Sequence, residues 1–177
     1  MTRIRVATPR DRENIREVYL RAFPEGESRI VAALAINLLT EETRCGTITL
    51  VAEMDGTVAG HIAFSPVTVE NNGKWKGFIL APLGVKPDCQ GRRIGTELIK
   101  SGMRRLSGDG VDVLFVYGDP GYYGKFGFNA DTASGYLPPY KLQYPFAWQA
   151  IALNDRCPAA STVKIACVAS LSDPDLW

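Results

Sequence analysis

The chain contains one histidine, His61, in 177 residues, and its four cysteines, Cys45, Cys89, Cys157 and Cys167, are scattered with no Cys-x-x-Cys pair. A structural zinc site needs several such ligands at close spacing, so no metal is expected. The same scatter reads as reduced thiols in a cytoplasmic protein. No run approaches the roughly 18 apolar residues of a membrane span. The N-terminus, Met1-Thr2-Arg3-Ile4-Arg5-Val6, lacks the apolar core of a secretion signal, and no membrane partner is expected. Twenty Lys and Arg against 19 Asp and Glu leave a net charge of +1. Without a clustered basic surplus, no nucleic-acid partner is expected either.

At 46% hydrophobic and 22% charged residues, the chain can bury a sizeable core. Its length suits a single domain over 1–177, with a core over 1–130 and a strand-rich segment over 131–177. A strand at Ile4–Ala7 leads to Thr8, which reads as a helix cap, with Pro9 at the first helical position and Asp11 three residues on. Ile15, Val18, Tyr19, Ala22 and Phe23 form one apolar stripe. A second helix carries Ile30, Val31, Leu34 and Leu38 on one face. Strands at 48–53 and 57–66 flank Asp55-Gly56, and strands at 67–70 and 75–80 flank Asn72-Gly73, both hairpin signals. The strand from Phe78 to Val85 is nearly all apolar, so it reads as buried on both faces. Pro82 cannot donate a ladder hydrogen bond, so pairing is disturbed there. A helix from about Arg93 to Leu106, a strand from Val111 to Tyr117 and a short helix over Tyr122–Lys125 follow. Strands at 148–153 and 163–168 close an α+β domain with a mixed sheet.

Between the proline-interrupted strand and the amphipathic helix lies Gln90-Gly91-Arg92-Arg93-Ile94-Gly95-Thr96. Unpaired amides at a helix start carry partial positive charge and suit a phosphate. The glycines permit close backbone approach, and Arg92 and Arg93 add full charges. The loop is neither a dinucleotide Gly-x-Gly-x-x-Gly nor a Gly-Lys-Ser/Thr phosphate loop. Taken alone, it reads equally well as an ordinary surface turn.

This loop resembles the Gln/Arg-x-x-Gly-x-Gly/Ala motif of the GNAT superfamily of N-acetyltransferases. Gln90 and Gly95 match its first and last positions, and Arg93 stands where the first glycine is usual. An arginine at a helix start is expected in αR geometry, where it could contact phosphate itself. A second segment, Val116-Tyr117-Gly118-Asp119-Pro120-Gly121-Tyr122-Tyr123-Gly124-Lys125-Phe126-Gly127-Phe128, resembles the Gly-Asp-Pro-x-Tyr-Tyr-x-Arg-Phe-Gly-Phe stretch of the YhbS-type branch. Ala81-Pro82-Leu83-Gly84-Val85-Lys86-Pro87 resembles that branch's fourth strand. The resemblance runs in order from about Ile4 to Phe128.

The resemblance implies a GNAT-like, mostly antiparallel sheet flanked by helices, with splayed fourth and fifth strands. It implies acetyl-CoA as cosubstrate, an amine as acceptor, and direct attack in a ternary complex, in a monomer or homodimer. Leu83, Gly84 and Val85 would hold the pantetheine arm, and an N–H near Leu83 or Gly84 would stabilise the tetrahedral intermediate. Tyr123 is the candidate general acid for the departing thiolate, with Tyr122 its neighbour and alternative and a further cofactor contact. His61, the one side chain whose ordinary pKa lies near neutrality, is the candidate base. Strand alternation places it with Ala59, Ala63 and Ser65, opposite Val58, Ile62 and Phe64, on a face expected to reach a cleft. Glu25, Glu27, Glu70 and Asp119 are further candidates to take a proton or hold a cationic amine. Tyr136, Tyr140, Tyr144, Phe146 and Trp148 either line the acceptor pocket or a subunit interface, or pack a C-terminal subdomain. The alternative to an enzyme is a non-catalytic acyl-CoA-binding regulatory module of the same fold.

Overall fold

The computed structural model of the protein describes residues 1–40, 46–70, 73–156 and 161–177. Asn72 of the second expected turn, and Cys45 and Cys157, lie outside the described residues. The chain divides into two compact units, Met1–Phe64 with Ala81–Met103, and Ser65–Leu80 with Arg104–Trp177.

In the first unit, strand β1 (Thr2–Val6) pairs antiparallel with β2 (Ile48–Met54), and β2 with β3 (Thr57–Val69). The turn between β2 and β3 is the Asp55-Gly56 pair, with φ of 52° and 79°. Both central residues of such a two-residue hairpin need positive φ. Thr8 does sit at a cap: Asp11 Oδ2 accepts from the Thr8 amide at 2.7 Å and from Thr8 Oγ1 at 3.0 Å. One 3₁₀ turn, Pro9–Asp11, precedes helix α1 (Arg12–Ala22). Arg5 donates to both Asp11 oxygens, each at 2.8 Å, and to Glu53 at 2.7 and 2.9 Å. That network ties β1, β2 and the start of α1 together.

Helix α2 spans Glu25–Thr40. It packs with α1 on one face of β2 and β3, in a core of Ile15, Val18, Tyr19, Ala32, Ala35, Ile36, Val51 and Val58. Of the residues expected on the inward face, Leu34 and Leu38 are buried and Ile30 is 47% exposed; Ser28, Ala32, Ala35 and Ile36 are buried as well. Helix α3 (Ile94–Gly108) lies against the opposite face. A Cβ on Gly60 would come within 3.0 Å of Ile94 and 3.2 Å of Leu98, and one on Gly102 within 2.1 Å of the Phe64 ring. Strand β4 (Gly77–Val85) runs beside β3 at its C-terminal end, where the Lys86 amide donates to the Ala59 carbonyl at 2.9 Å.

In the second unit, β4 pairs in parallel with β5 (Val113–Tyr117), from Gly77↔Val113 to Leu80↔Val116. The register stops one residue before Ala81-Pro82, as the missing proline N–H predicts. Strand β5 pairs antiparallel with β7 (Trp148–Ala152), and the end of β3 with β8 (Val163–Cys167). The two-residue β6 (Tyr136–Leu137) lies parallel to β8. The mixed, mostly antiparallel sheet therefore runs β1-β2-β3-β4-β5-β7, with β8 on β3 and β6 on β8. The expected break between strands 57–66 and 67–70 does not occur: Pro66 sits inside the continuous β3. The aromatic tail divides. Tyr136 and Trp148 are buried around Phe115, with ring centroids 4.8 and 5.2 Å from it, whereas Tyr144 and Phe146 are 51% and 67% exposed.

Candidate active site

Strand β4 presents its backbone to two sides. The Lys86 amide and the Gly84 carbonyl face β3: the former donates to Ala59, and the latter lies 3.1 Å from where a Gly60 Cβ would stand. Peptide groups alternate sides along a strand, so the N–H and C=O of Leu83 and the N–H of Val85 point away from β3. The Val85 carbonyl accepts from Gln90 Nε2 at 3.0 Å. Of the two N–H groups expected as candidate donors, that of Leu83 is the one pointing away from β3.

A 3₁₀ turn, Pro87–Cys89, then carries the chain to the loop. Gln90, Gly91, Arg92 and Arg93 are exposed, Gly95 and Thr96 half-buried, and Ile94 buried, anchoring the helix start. Two residues take left-handed backbone, Gly91 at φ 75° and Arg93 at φ 63°. The expected αR geometry of Arg93 is therefore incorrect. The chain reverses twice between the turn and α3, and Arg93 occupies the second reversal. Its carbonyl accepts the Glu97 amide at 3.0 Å, which makes it the helix cap. The amides of Ile94, Gly95 and Thr96 then have no partner within the helix and point outward at the loop.

Four charged residues brace this segment against α1. Glu17 bonds Lys86 Nζ at 3.0 Å, and Arg21 bonds Asp88 at 3.0 Å and Glu17 at 3.5 Å. The Lys86 ammonium, more than the Arg21 guanidinium, holds the Glu17 carboxyl below its usual range. Only the i,i+4 spacing of Glu17 and Arg21 is visible in the sequence. Lys86 and Asp88 need the fold to meet them.

His61 does not face a cleft. It is fully buried, and its Nδ1 lies 2.8 Å from the Tyr19 hydroxyl, with the rings edge to face at 5.6 Å. Burial holds its pKa down to about 3, against a small upward push from Asp11. The reason is packing: Phe64 stays on the opposite face, against α3 at Gly102, while α1 lays Tyr19 over the face of His61; the β2–β3 register slip between Ala52 and Glu53 changes the side of Val58. Val58, expected opposite His61, joins the same α1–α2 core as Tyr19. Tyr19, which the sequence shows only as part of an apolar stripe, carries the hydroxyl that His61 meets.

In the second unit Asp119 caps helix α4 (Pro120–Tyr123), accepting the Gly121 amide at 2.9 Å. This engages one oxygen, Oδ1, of the carboxylate offered as a base candidate. Tyr123 lies over Gly118, where a Cβ would come within 2.5 Å of the ring, and edge to face with Phe128 and Tyr122. Its phenol pKa is pushed well up, first by burial and then by Tyr122 and Asp119. Burial also raises that of Tyr122. Glu27 and Glu70 are exposed. Glu25, in the first turn of α2, borders a cleft of about 630 Å³ between α1 and α2 that Arg12, Arg16 and Arg29 also line.

An acetyltransferase (GNAT) domain model matches residues 3–130, a span that holds the loop, β4 and Tyr123. The chain belongs to the GNAT acetyltransferase family. The acetyltransferase is 33% identical over 171 residues to the uncharacterized N-acetyltransferase YjhQ of Escherichia coli (strain K12), covering 93% of this chain and 89% of the relative. It is 36% identical over 127 residues to the uncharacterized N-acetyltransferase YhbS of the same strain, covering 71% and 72% of the two chains. The solved structure of the GNAT family N-acetyltransferase YhbS from Escherichia coli in complex with CoA superimposes with a TM-score of 0.82, at 28% identity over 97% of this chain and 92% of that one. A GNAT family acetyltransferase from Brucella melitensis in complex with acetyl-CoA gives 0.69, at 34% identity over 96% and 97%. The enzyme is thus an acetyl-CoA-dependent N-acetyltransferase of the YhbS type. No described helix is long and apolar enough to cross a membrane.

Proposed function

We propose that this acetyltransferase transfers the acetyl group to an amine acceptor by direct attack within a ternary complex. The free backbone edge at Leu83 and Val85, running into the outward amides of Ile94, Gly95 and Thr96, carries this reading. A pantetheine arm carries amides that pair with such an edge, and its pyrophosphate suits a helix start beside two arginines. The CoA and acetyl-CoA complexes of the two similar structures support the same assignment.

Gly91, Arg92 and Arg93 flank the phosphates with positive charge and an open backbone. Gln90 acts one step away, fixing the Val85 carbonyl. Leu83 N–H donates to the carbonyl oxygen as it gains charge. The amine nitrogen bonds to the carbonyl carbon, the carbon–sulfur bond breaks, and Tyr123 gives its phenolic proton to the departing sulfur. Its raised pKa keeps it protonated throughout the neutral range; a hydrogen bond that tightens as sulfur gains charge does the work. Tyr122 packs beside it. His61, neutral and enclosed, has no route to an acceptor amine, so the amine's proton passes to water.

Calorimetry should show acetyl-CoA binding, and acetyl-CoA should raise the melting temperature by ligand linkage. CoA-thiol release over a panel of amines, peptides and aminoglycosides identifies the acceptor class. Tyr123→Phe should lower kcat while leaving acetyl-CoA affinity nearly unchanged. An unaltered kcat removes the acid assignment, and absence of binding at millimolar acetyl-CoA removes the whole reading.

A further inference from the structure

Gly84 is buried on the α1 side of β4, and a side chain there has no room. A Cβ on it would meet the Tyr19 ring at 2.8 and 3.1 Å and Val18 at 3.1 Å. The Tyr19 ring therefore forms the floor under the strand beside Leu83. Tyr19 is fully buried, and its position is set at the far end of the ring. Its hydroxyl lies 2.8 Å from His61 Nδ1 and 3.2 Å from the His61 carbonyl. One O–H cannot donate to both at full strength, so one arrangement has the phenol donating to the carbonyl and Nδ1–H donating to the phenol oxygen. His61 Nε2 is buried and meets no partner among the described residues. A buried histidine that holds one hydrogen bond and leaves its other nitrogen unpaired is costly; on this strand that bond fixes Tyr19. Gly60, on β3, closes the arrangement from the side, because a Cβ there would press on the Gly84 carbonyl at 3.1 Å.

We infer that Tyr19, oriented by His61, is a positioning residue for the acetyl thioester carbonyl: it sets the height of β4 at Leu83 and Gly84, and so of the Leu83 N–H that meets that oxygen. The inference rests on the assignment of β4 as the acetyl-CoA strand. Neither side chain touches substrate. His61 thereby acts through Tyr19 rather than as a base, and the hydroxyl of Tyr19, not its apolar bulk alone, carries the effect.

The test uses the full chain with acetyl-CoA labelled with ¹³C at the thioester carbonyl. A backbone donor on that oxygen displaces the bound carbonyl resonance downfield of free acetyl-CoA. Tyr19→Phe keeps the ring under Gly84 and removes the hydroxyl. His61→Asn keeps a polar atom near the Nδ1 position, whereas His61→Gln puts one near Nε2. Tyr19→Phe and His61→Gln should return the resonance at least halfway to its free position, His61→Asn should hold it near the wild-type position, and acetyl-CoA affinity should change little in all three. With an acceptor found by CoA release, kcat should fall about tenfold in the first two, as expected for a misplaced reacting group, with KM nearly constant. A merely structural role would lower melting temperature and leave the resonance in place, and that result overturns the inference. So does equal loss in His61→Asn and His61→Gln with Tyr19→Phe unaffected, which returns His61 to a direct role. If the wild-type resonance itself stays at its free position while acetyl-CoA is bound, the assignment of β4 fails and the inference falls with it; displaced wild type with unchanged variants removes the inference alone.

Discussion

Arg93 holds φ 63° at the cap of α3, and that single angle predicts how two substitutions must differ. An L-residue in left-handed backbone gives up roughly 1–2 kcal/mol to the clash between its Cβ and the following carbonyl. Glycine feels no such clash but loses more freedom on folding, which takes back about 0.5–1 kcal/mol. Arg93→Gly should therefore stabilise the protein by about 0.5–1 kcal/mol, a rise of roughly 2–3 °C in Tm for a chain of this length. Arg93→Ala keeps the clash and loses the same guanidinium, so it should fall about 1 kcal/mol below the glycine variant. Urea unfolding of the two variants reads this difference directly. Acetyl-CoA calorimetry separates strain from charge. Both variants lack the exposed cation, so both should bind acetyl-CoA more weakly by up to about fivefold, the effect of an exposed charge pair of about 1 kcal/mol. A glycine variant no more stable than the alanine variant refutes the strain argument. Affinities that match the wild type show that Arg93 makes no phosphate contact.

Three further outcomes follow from packing and titration. Arg5, ahead of the Thr8 contacts, holds the Asp11 carboxyl down to about 2, so the folded form binds the proton less readily than the unfolded chain. The stability this provides is present above the ordinary value of 3.8 and lost as pH falls toward 2; Asp11→Asn should cost about 1–2 kcal/mol at pH 7 and little near pH 2, read by thermal melts across that range. Gly102→Ala would drive a Cβ into the Phe64 ring and should destabilise by about 1–3 kcal/mol; a neutral urea midpoint would show that α3 shifts freely. Burial raises Cys167 to about 12 and lifts Tyr122 and Tyr123 above the ordinary phenol. The unfolded chain releases these protons first, so stability should fall as pH rises from about 9, and Cys167→Ser with Tyr123→Phe should flatten that decline in a thermal series.

Local chemistry makes much of the protein legible in the order of its residues. Asp55-Gly56 demands a tight hairpin because few residues accept two successive positive φ values. Pro82 marks where the β4–β5 ladder ends because it has no N–H to give. Gly118-Asp119-Pro120 announces a capped helix, since an aspartate before a proline supplies both the acceptor and the fixed φ. These signals act within a few residues, so the chain carries them openly.

What only the tertiary structure decided lies at longer range. Helix α1 lays Tyr19 over the face on which His61 stands, and no local pattern records a packing partner 42 residues away. Lys86, Glu17, Arg21 and Asp88 come from segments up to 71 residues apart in the chain and meet because β4 and α1 lie side by side. The loop at Arg93 bends left-handed because the turn before it and the helix after it fix both ends, and they outweigh the residue's own preference. The sequence by itself determined the family and most of the strand and helix order, and it singled out the candidate phosphate loop, through spacing and turn chemistry. The placing of His61 against Tyr19 beneath Gly84 was settled by packing, because burial and hydrogen-bond partners are properties of the folded chain alone.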